Sequence, residues 1–471
     1  MFSKILIANR GEIALRIIRA CKEMGIATVA VYSEADREAM HVSLADESYC
    51  IGPAPVSASY LNIGSILEVA VTTGCQAIHP GYGLLSENAS FAELCGKCGL
   101  TFIGPLPETI RLMGDKEAAR RTMKQAGVPV IEGSDLLQSP AGAAETAKKI
   151  GYPIMLKARA GGGGRGIRIV DGPEALDGAF RAASAEASSA FGDGALYMEK
   201  YLRPVKHIEV QILGDTAGNI VALGERDCSV QRANQKLLEE SPAPALQDDA
   251  RKKMTEAAVA AARAVGYVGA GTIEFLCSGG EFYFCEMNTR LQVEHPVTEM
   301  VTGIDLVRSQ ILIAEGRPLS DPDIGIPSQD AVHLNGYAIQ CRVTTEDPAN
   351  NFAPDTGKIT AYRSAGGFGI RLDGGNAYTG AVISPYYDSL LVKVTTWDNT
   401  FPGVCRKAAR AINEIHVRGV KTNIAFVTNI LKHPAFIAGK CHTKFIDETP
   451  ELFQLDESQD RATKMLKYIG N

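Results

Sequence analysis

Over roughly the first 110 residues, short apolar runs alternate with amphipathic ones, and this limits the fold more than any other feature of the chain. Lys4–Ala8 reads as a strand, Asn9-Arg10-Gly11 as a turn, and Glu12–Met24 as a helix with Ile13, Ile17 and Cys21 on one stripe. Gly25 closes that helix where a left-handed cap costs least. Ala27–Tyr32, Ala77–His79 and Thr101–Ile103 read as further strands. Strands joined through helices in this way build a doubly wound parallel sheet, with ligands at the carboxyl ends of the strands. The loop His79-Pro80-Gly81-Tyr82-Gly83-Leu84-Leu85-Ser86-Glu87-Asn88 lies at such an end, although its Gly and Pro equally suit a plain turn. No G-x-G-x-x-G follows the first strand, so a dinucleotide fold is not supported.

Beyond a helix at about Asp115–Ala126 the pattern changes. Two apolar strands, Tyr152–Ala158 and Arg165–Val170, meet across Gly161-Gly162-Gly163-Gly164, with Lys157, Arg165 and Arg168 around them. A strand–glycine–strand layout lacks the helix dipole of a Walker loop. Exposed backbone N–H groups beside cations suit a flap over a polyphosphate, and a mobile hairpin tip is the plainer alternative. Strands at His207–Leu213 and Ile220–Glu225, a polar segment Gln231–Glu240 and an alanine-rich helix Arg251–Val265 follow. Helices are expected at Gly303–Glu315, Gly403–Ile415, Lys421–Leu431 and Arg461–Tyr468, with strands and glycine turns from about Leu334.

The run Glu286–His295 carries Glu286, Asn288, Arg290, Gln292 and Glu294 at alternate positions, which in a strand share one face. A solvated face explains the period but not two carboxylates, a guanidinium and two amides without a lysine or serine. At about 3.3 Å per residue the run would span roughly 26 Å if straight, so a site here requires a bend after about Asn288. Glu274, Glu286 and Asn288 offer hard oxygens suited to Mg²⁺ or Mn²⁺ on nucleotide phosphates, with Lys116 and Lys157 as counter-charge. Arg290 with Gln292 can clamp a small oxyanion, and Glu294 can take its proton. Glu274 and Glu286 meet on one face only if a three-residue loop Gly279–Glu281 joins their strands; a two-residue turn would oppose them. His295, on the other face, reads as a packed core residue.

With 471 residues, 45% hydrophobic and 22% charged, the chain suits an ordinary globular protein of roughly two to four units. A net charge of −6 argues against binding nucleic acid through phosphate attraction. No apolar run suits a membrane span, and the start lacks the pattern of a signal peptide. Eleven scattered cysteines, including an isolated Cys95-x-x-Cys98, fit reduced thiols in a cytoplasmic setting.

Ile7–Ala14, His79–Asn88, Met113–Lys116, Lys157–Gly166, Glu225–Ser229 and Glu286–Glu299 together resemble biotin carboxylase, the ATP-grasp component of biotin-dependent carboxylases. Gln340–Pro348, Gly366–Asp373, Ser384–Trp397 and Phe445–Tyr468 resemble the pyruvate carboxylase branch more than the acetyl-CoA carboxylase one. The resemblance implies a doubly wound α/β domain at 1–114, an ATP-grasp domain at 115–330 with a mobile glycine-rich lid near 131–203, a mixed α+β domain at 331–446 and a tail. It implies ATP-driven phosphorylation of bicarbonate and carboxylation of biotin. Glu199, Lys200, Tyr201 and Leu202 would line the adenine pocket with Leu276 beneath. Lys116, Lys157, Gly163, Gly164, His207, Gln231 and Asn234 would hold phosphates and ribose, and Glu274, Glu286 and Asn288 the metals. Arg290, Gln292 and the Val293 backbone would hold bicarbonate beside Lys236; Glu294 would deprotonate it; Arg342 would stabilise the enolate-like biotin, with Tyr82 also at the substrate. Arg19, Glu23 and Tyr362 resemble homodimer contacts.

Two departures stand out. Gln231-Arg232-Ala233-Asn234-Gln235-Lys236 replaces the family's Gln-Arg-Arg-His-Gln-Lys, which bears on nucleotide affinity because Asn234 cannot carry charge. No Ala-Met-Lys-Met biotinylation motif is present, so biotin is expected on a carrier protein or domain elsewhere, together with a carboxyltransferase. The alternatives are a carbamoyl-phosphate type of ATP-grasp ligase and a silent nucleotide-binding regulatory subunit.

Overall fold

A computed structural model describes residues 1–137, 139–159, 167–455, 465, 468 and 469, with backbone only for Ala190 and Phe191. It divides into two compact units: Met1–Val128 with Lys206–Phe275 and Glu286–Asn471, and Pro129–Val205 with Leu276–Cys285.

The first unit opens on the expected parallel sheet, in the order Glu47–Gly52, Ala27–Ser33, Lys4–Ile7, Ala77–His79, Thr101–Phe102. Ile5, Leu6 and Ile7 in its central strand are wholly buried, as strands covered by helices on both faces require. The helix Gly11–Glu23 ends through Gly25, whose φ of 72° lets the Ile26 N–H reach back to the Cys21 carbonyl at 2.8 Å.

An eight-stranded sheet follows, ordered Glu281–Asn288, Gly269–Ser278, Lys206–Gly214, Ile220–Arg232, Gln235–Ser241, Tyr337–Thr344, Leu390–Asp398, Ile370–Gly374. Gln235–Ser241 pairs with Tyr337–Thr344, so one sheet runs on into the last third of the chain. The polar segment Gln231–Glu240 is thus a hairpin, and its Leu237 and Leu238 join the core beneath the helices Phe401–Glu414 and Ile424–Lys432. The expected helix Gly303–Glu315 is present as Leu306–Ala314, and a further helix, His295–Thr302, precedes it. Gly303, at φ 73°, ends the earlier helix, and the Asp305 side chain caps the later one at the Arg308 N–H.

The second unit is a three-stranded antiparallel sheet, Ile167–Val170, Ile154–Ala158, Leu196–Lys200, backed by the helices Pro140–Ile150 and Pro173–Phe191. Gly161–Gly164 and Arg165 lie outside the described residues, as does most of the expected helix Arg461–Tyr468. Among the described residues no helix is long and apolar enough to cross a membrane.

Asp115 caps the helix Lys116–Gln125, accepting from the Glu117 and Ala118 N–H groups at 3.0 Å each. Asp115→Ala is expected to cost about 1 kcal/mol of local stability. Hydrogen exchange should quicken several-fold in the first turn of that helix and stay unchanged in the parallel sheet.

Candidate active site

The polar series singled out by the sequence begins on the strand Glu281–Asn288 and leaves it at Asn288. Thr289–Glu294 is irregular, and the helix His295–Thr302 then starts with Pro296 in its first turn, where no N–H is needed. The series therefore bends where its length requires.

The hairpin before it differs from expectation. Its turn is the two residues Gly279-Gly280, at φ 61° and 87°, and the three-residue loop Gly279–Glu281 does not form. Phe284 and Met287 are buried while Cys285 and Glu286 between them are both exposed, so strict alternation fails once. Asn288 duly shares a face with Glu274, donating Nδ2 to Glu274 Oε1 at 2.9 Å.

At the centre stands Lys236, which donates to Glu209 Oε2 (2.6 Å), Glu274 Oε1 (2.8 Å) and Glu294 Oε1 (2.7 Å). Its three protons thus join three carboxylates from three separate segments. Arg226, with no exposed surface, holds the same shell from behind. It donates to Glu209 (2.5 Å), Gln211 (2.7 Å), Thr298 (2.9 Å), Thr272 (3.1 Å) and Gln292 (2.6 Å). Arg342 donates to Glu239 Oε1 at 2.6 Å and to Glu294 Oε2 at 3.1 Å.

The expected anion clamp is held by this shell. Arg290 donates through Nε to Glu87 at 2.7 Å and through Nη2 to Asn288 Oδ1 at 3.0 Å. Gln292 accepts from Arg226 and gives its own N–H to Glu274 Oε1 at 2.9 Å. The Val293 carbonyl accepts from Lys393 Nζ at 3.0 Å. His207 sets Nε2 at 2.7 Å from Glu274 Oε2, and its Nδ1 meets the Gln231 amide at 2.8 Å. Tyr82 donates its hydroxyl to Glu12. His295 is buried and packed, its Nδ1 at 2.8 Å from the Gln292 carbonyl.

Burial opposes ionisation of these carboxyls, and the cations overcome it. Lys236 and Arg226 hold Glu209 down to about 2. Lys236 and His207 hold Glu274 well below the usual range, and Lys236 with Arg342 lowers Glu294 against the pull of Glu209. Glu286 goes the other way: although its side chain reaches solvent, the protein around its carboxyl strips part of its hydration, and this, then the nearby Glu274 charge, pushes it up. Two carboxyls that repel, beside an amide oxygen, form a hard-oxygen set whose strain a divalent cation relieves, so the residues fit Mg²⁺. Lys116, at the exposed start of its helix, partly offsets the charge on Glu286.

In the second unit Lys157 is ion-paired with Glu199 on the neighbouring strand. Lys200 donates Nζ to the carbonyls of Gly151 (2.8 Å) and Tyr152 (3.0 Å), and the Tyr201 N–H donates to Pro153 at 3.0 Å. Leu202 follows the end of that strand, and Leu276 is half-buried near the hairpin tip. Gly163 and Gly164 lie outside the described residues. Returning to the first unit, Asn234 forms with Ala233 the exposed turn between Ile220–Arg232 and Gln235–Ser241, at φ 48° and 65°. Arg19 and Glu23 are exposed one turn apart on the first helix, and Tyr362 is half-buried on Ala361–Arg363.

Glu209, Arg226, Glu239 and Glu87 were not singled out as site residues. Glu209 lies between Ile208 and Val210, where a charge needs a partner, but Arg226 lies between Glu225 and Asp227, and nothing local distinguishes it.

Doubly wound sheet, antiparallel sheet and carboxylate–cation cluster define a nucleotide-dependent ligase of ATP-grasp architecture. Family models agree along the chain: the biotin carboxylase N-terminal domain matches residues 1–110, the carbamoyl-phosphate synthase L chain ATP-binding domain 115–321, and the biotin carboxylase C-terminal domain 340–448. The biotin carboxylase of Nostoc sp. is 54% identical over 449 residues, 95% of this chain and 99% of that one. Pyruvate carboxylase of Bacillus subtilis is 52% identical over 99% of this chain, which spans only 41% of that protein's length. The biotin carboxylase domain dimer of Hydrogenobacter thermophilus 2-oxoglutarate carboxylase, solved with MgADP, ADP and bicarbonate, superimposes with a TM-score of 0.89 at 49% identity, covering 97% of this chain and all of that one. The chain belongs to the biotin carboxylase family, the ATP-dependent ligases that carboxylate biotin.

Arg226→Met would leave Glu209 and Gln292 buried without their shared donor. Loss of about 3–5 kcal/mol is expected in chemical denaturation. The pair Arg226→Met/Glu209→Gln should recover part of that loss.

The depressed Glu209 carboxyl also fixes a sign. Its contribution to stability is complete above the ordinary glutamate value of about 4.3 and drains as pH falls through about 2. Glu209→Gln should therefore flatten the acid limb of a stability–pH curve over that window.

Proposed function

We propose that this chain cleaves ATP to activate bicarbonate and passes the carboxyl group to a biotin borne on a separate carrier protein or domain, ahead of a carboxyltransferase. One observation supports the reading: Glu294, buried, is kept ionised by Lys236 and Arg342, and the same Lys236 holds Glu274, which also takes the Asn288 and Gln292 amides of the oxygen set and the anion clamp.

Arg290, Gln292 and the Val293 backbone orient bicarbonate, and Glu294 accepts its proton. The resulting carbonate oxygen attacks the γ-phosphorus, breaking the bond to ADP and giving carboxyphosphate. That intermediate decomposes to CO₂ and phosphate. Such phosphoryl transfer depends on positioning and charge neutralisation more than on covalent help from the protein. Glu274, Glu286 and Asn288 would hold Mg²⁺ or Mn²⁺, which supplies neutralising charge to the phosphates. Lys116, Lys157, Gly163, Gly164, His207 and Gln231 are assigned to phosphates and ribose, and Glu199–Leu202 with Leu276 to adenine. Asn234 sits on an exposed left-handed turn and can serve the ribose only as a neutral partner. Biotin supplies a ureido nitrogen as carboxyl acceptor; Arg342 is the cation assigned to it, beside Tyr82 and Lys236. Arg19, Glu23 and Tyr362 are assigned to a homodimer contact.

ATP cleavage should depend on bicarbonate and rise with free biotin. Glu294→Gln should lower carboxylation at least 10²-fold, the scale of lost general-base catalysis, with ATP binding nearly unchanged. ATP turnover that depends on ammonia, or on neither substrate, would overturn the proposal.

A further inference from the structure

Between the strand Glu281–Asn288 and the helix His295–Thr302, Val293 and Glu294 form a turn closed by the His295 N–H on the Gln292 carbonyl at 3.2 Å, and the Glu294 carbonyl accepts from the Val297 N–H at 3.2 Å. The Val293 carbonyl, from whose peptide the base departs, takes its donor from a side chain instead. Lys393 is placed to supply it. This lysine is wholly buried in the strand Leu390–Asp398, and its Nζ donates to the Val293 carbonyl at 3.0 Å and pairs with Glu12 at 2.9 Å. A fully buried ammonium costs several kcal/mol unless its bonds are well made, so mere space-filling would favour an apolar side chain of the same length.

The sheet register makes this placement specific. Lys393 stands directly opposite Arg342 on one neighbouring strand and Asp373 on the other. Arg342 holds the Glu294 carboxylate, and Lys393, beside it, holds the peptide from which Glu294 departs. Because a peptide is planar, fixing the Val293 carbonyl also fixes the direction of the Glu294 N–H and the start of its side chain. Glu12 completes the arrangement: it takes the Tyr82 hydroxyl and holds Lys393 in place.

The geometry points to Lys393, braced by Glu12, as the positioning residue for the base Glu294 and for the bicarbonate-holding backbone of Val293. This deepens the function proposed above and rests on it for the identity of the anion. Lys393 touches no reacting atom. It sets the aim of one that does, and misplacement on the order of 1 Å costs about 10²-fold in rate.

Lys393→Met tests it in the full chain. Bicarbonate-dependent ATP cleavage should fall in kcat by roughly 30–100-fold, with KM for ATP changed less than about twofold. Lys393→Arg, which keeps a cationic donor, should recover most of the loss. Independently of activity, hydrogen exchange of the peptide spanning Arg290–Glu294 should quicken about tenfold or more in Lys393→Met, as lost backbone anchoring implies. Should Lys393→Met not fold, Lys393→Met/Glu12→Gln removes both buried charges and should show the same kcat and exchange changes. Wild-type kcat in the Met variant, unchanged exchange, or no recovery with Arg would each overturn the assignment. If the wild-type chain shows no bicarbonate dependence, the functional reading fails instead, and the exchange result alone judges the anchor.

Discussion

One ammonium shared among three buried carboxylates underlies the rest of this site. Each of Glu209, Glu274 and Glu294 would be costly to bury alone, and the pairwise attraction of any one to Lys236 would barely repay it. Joined through all three protons, and backed by Arg226 and Arg342, they form a network whose members satisfy one another. The parts of the reaction are thereby linked by charge. Glu274 belongs to the proposed hard-oxygen set, Glu294 is the proposed base, and Gln292 reaches both Glu274 and Arg226. No one of these groups can move without altering the ionisation of the others.

The large sheet makes such a network affordable in space. Lys206–Gly214, Ile220–Arg232, Gln235–Ser241 and Tyr337–Thr344 are consecutive neighbours, and contribute Glu209, Arg226, Lys236 with Glu239, and Arg342 respectively. Glu209 stands directly opposite Arg226, and a register shift between Val230↔Leu238 and Gln231↔Lys236 lets Lys236 and Glu239, three apart, both serve the cluster without any loop having to deliver them. Rigid strands hold the charged residues, while the short irregular stretch Thr289–Glu294 presents the clamp and the base. Only that stretch needs external anchors, and it has them at Glu87, Arg226, Lys393 and Arg342.

Much of this was legible in the chain, though unevenly. The parallel sheet could be read because strand, turn and helix alternate with clear periods and Gly25 marks a stop. The bend after Asn288 followed from length alone. The hairpin did not: its turn has two residues, alternation of burial fails at Cys285–Glu286, and composition gives no sign of either. The helix over residues 295–302 is short and holds Pro296 in its first turn, where no N–H is needed, so its periodicity gives little signal. Glu209 and Arg226 escaped notice because their role depends on partners far apart in sequence, with Arg226 meeting Gln292 across 66 residues. Periodicity locates a residue on a face; it does not say which distant face it meets.

The same pairings shape how an anion can enter. Arg290 is held by Glu87 and Asn288, Lys236 by three carboxylates and Arg342 by Glu239 and Glu294. On the proposed function, a bicarbonate ion would gain these cations by sharing or exchanging partners, with a net gain smaller than its contacts suggest. Glu87 is half-exposed and the most readily displaced of these partners, whereas Glu209 and Glu239 are buried and stay. The clamp is therefore built with one exchangeable carboxylate and a fixed interior. In the proposed reaction, an anion able to replace Glu87 on Arg290, while giving up a proton to Glu294, would satisfy both ends at once. A larger or aprotic anion would satisfy only one.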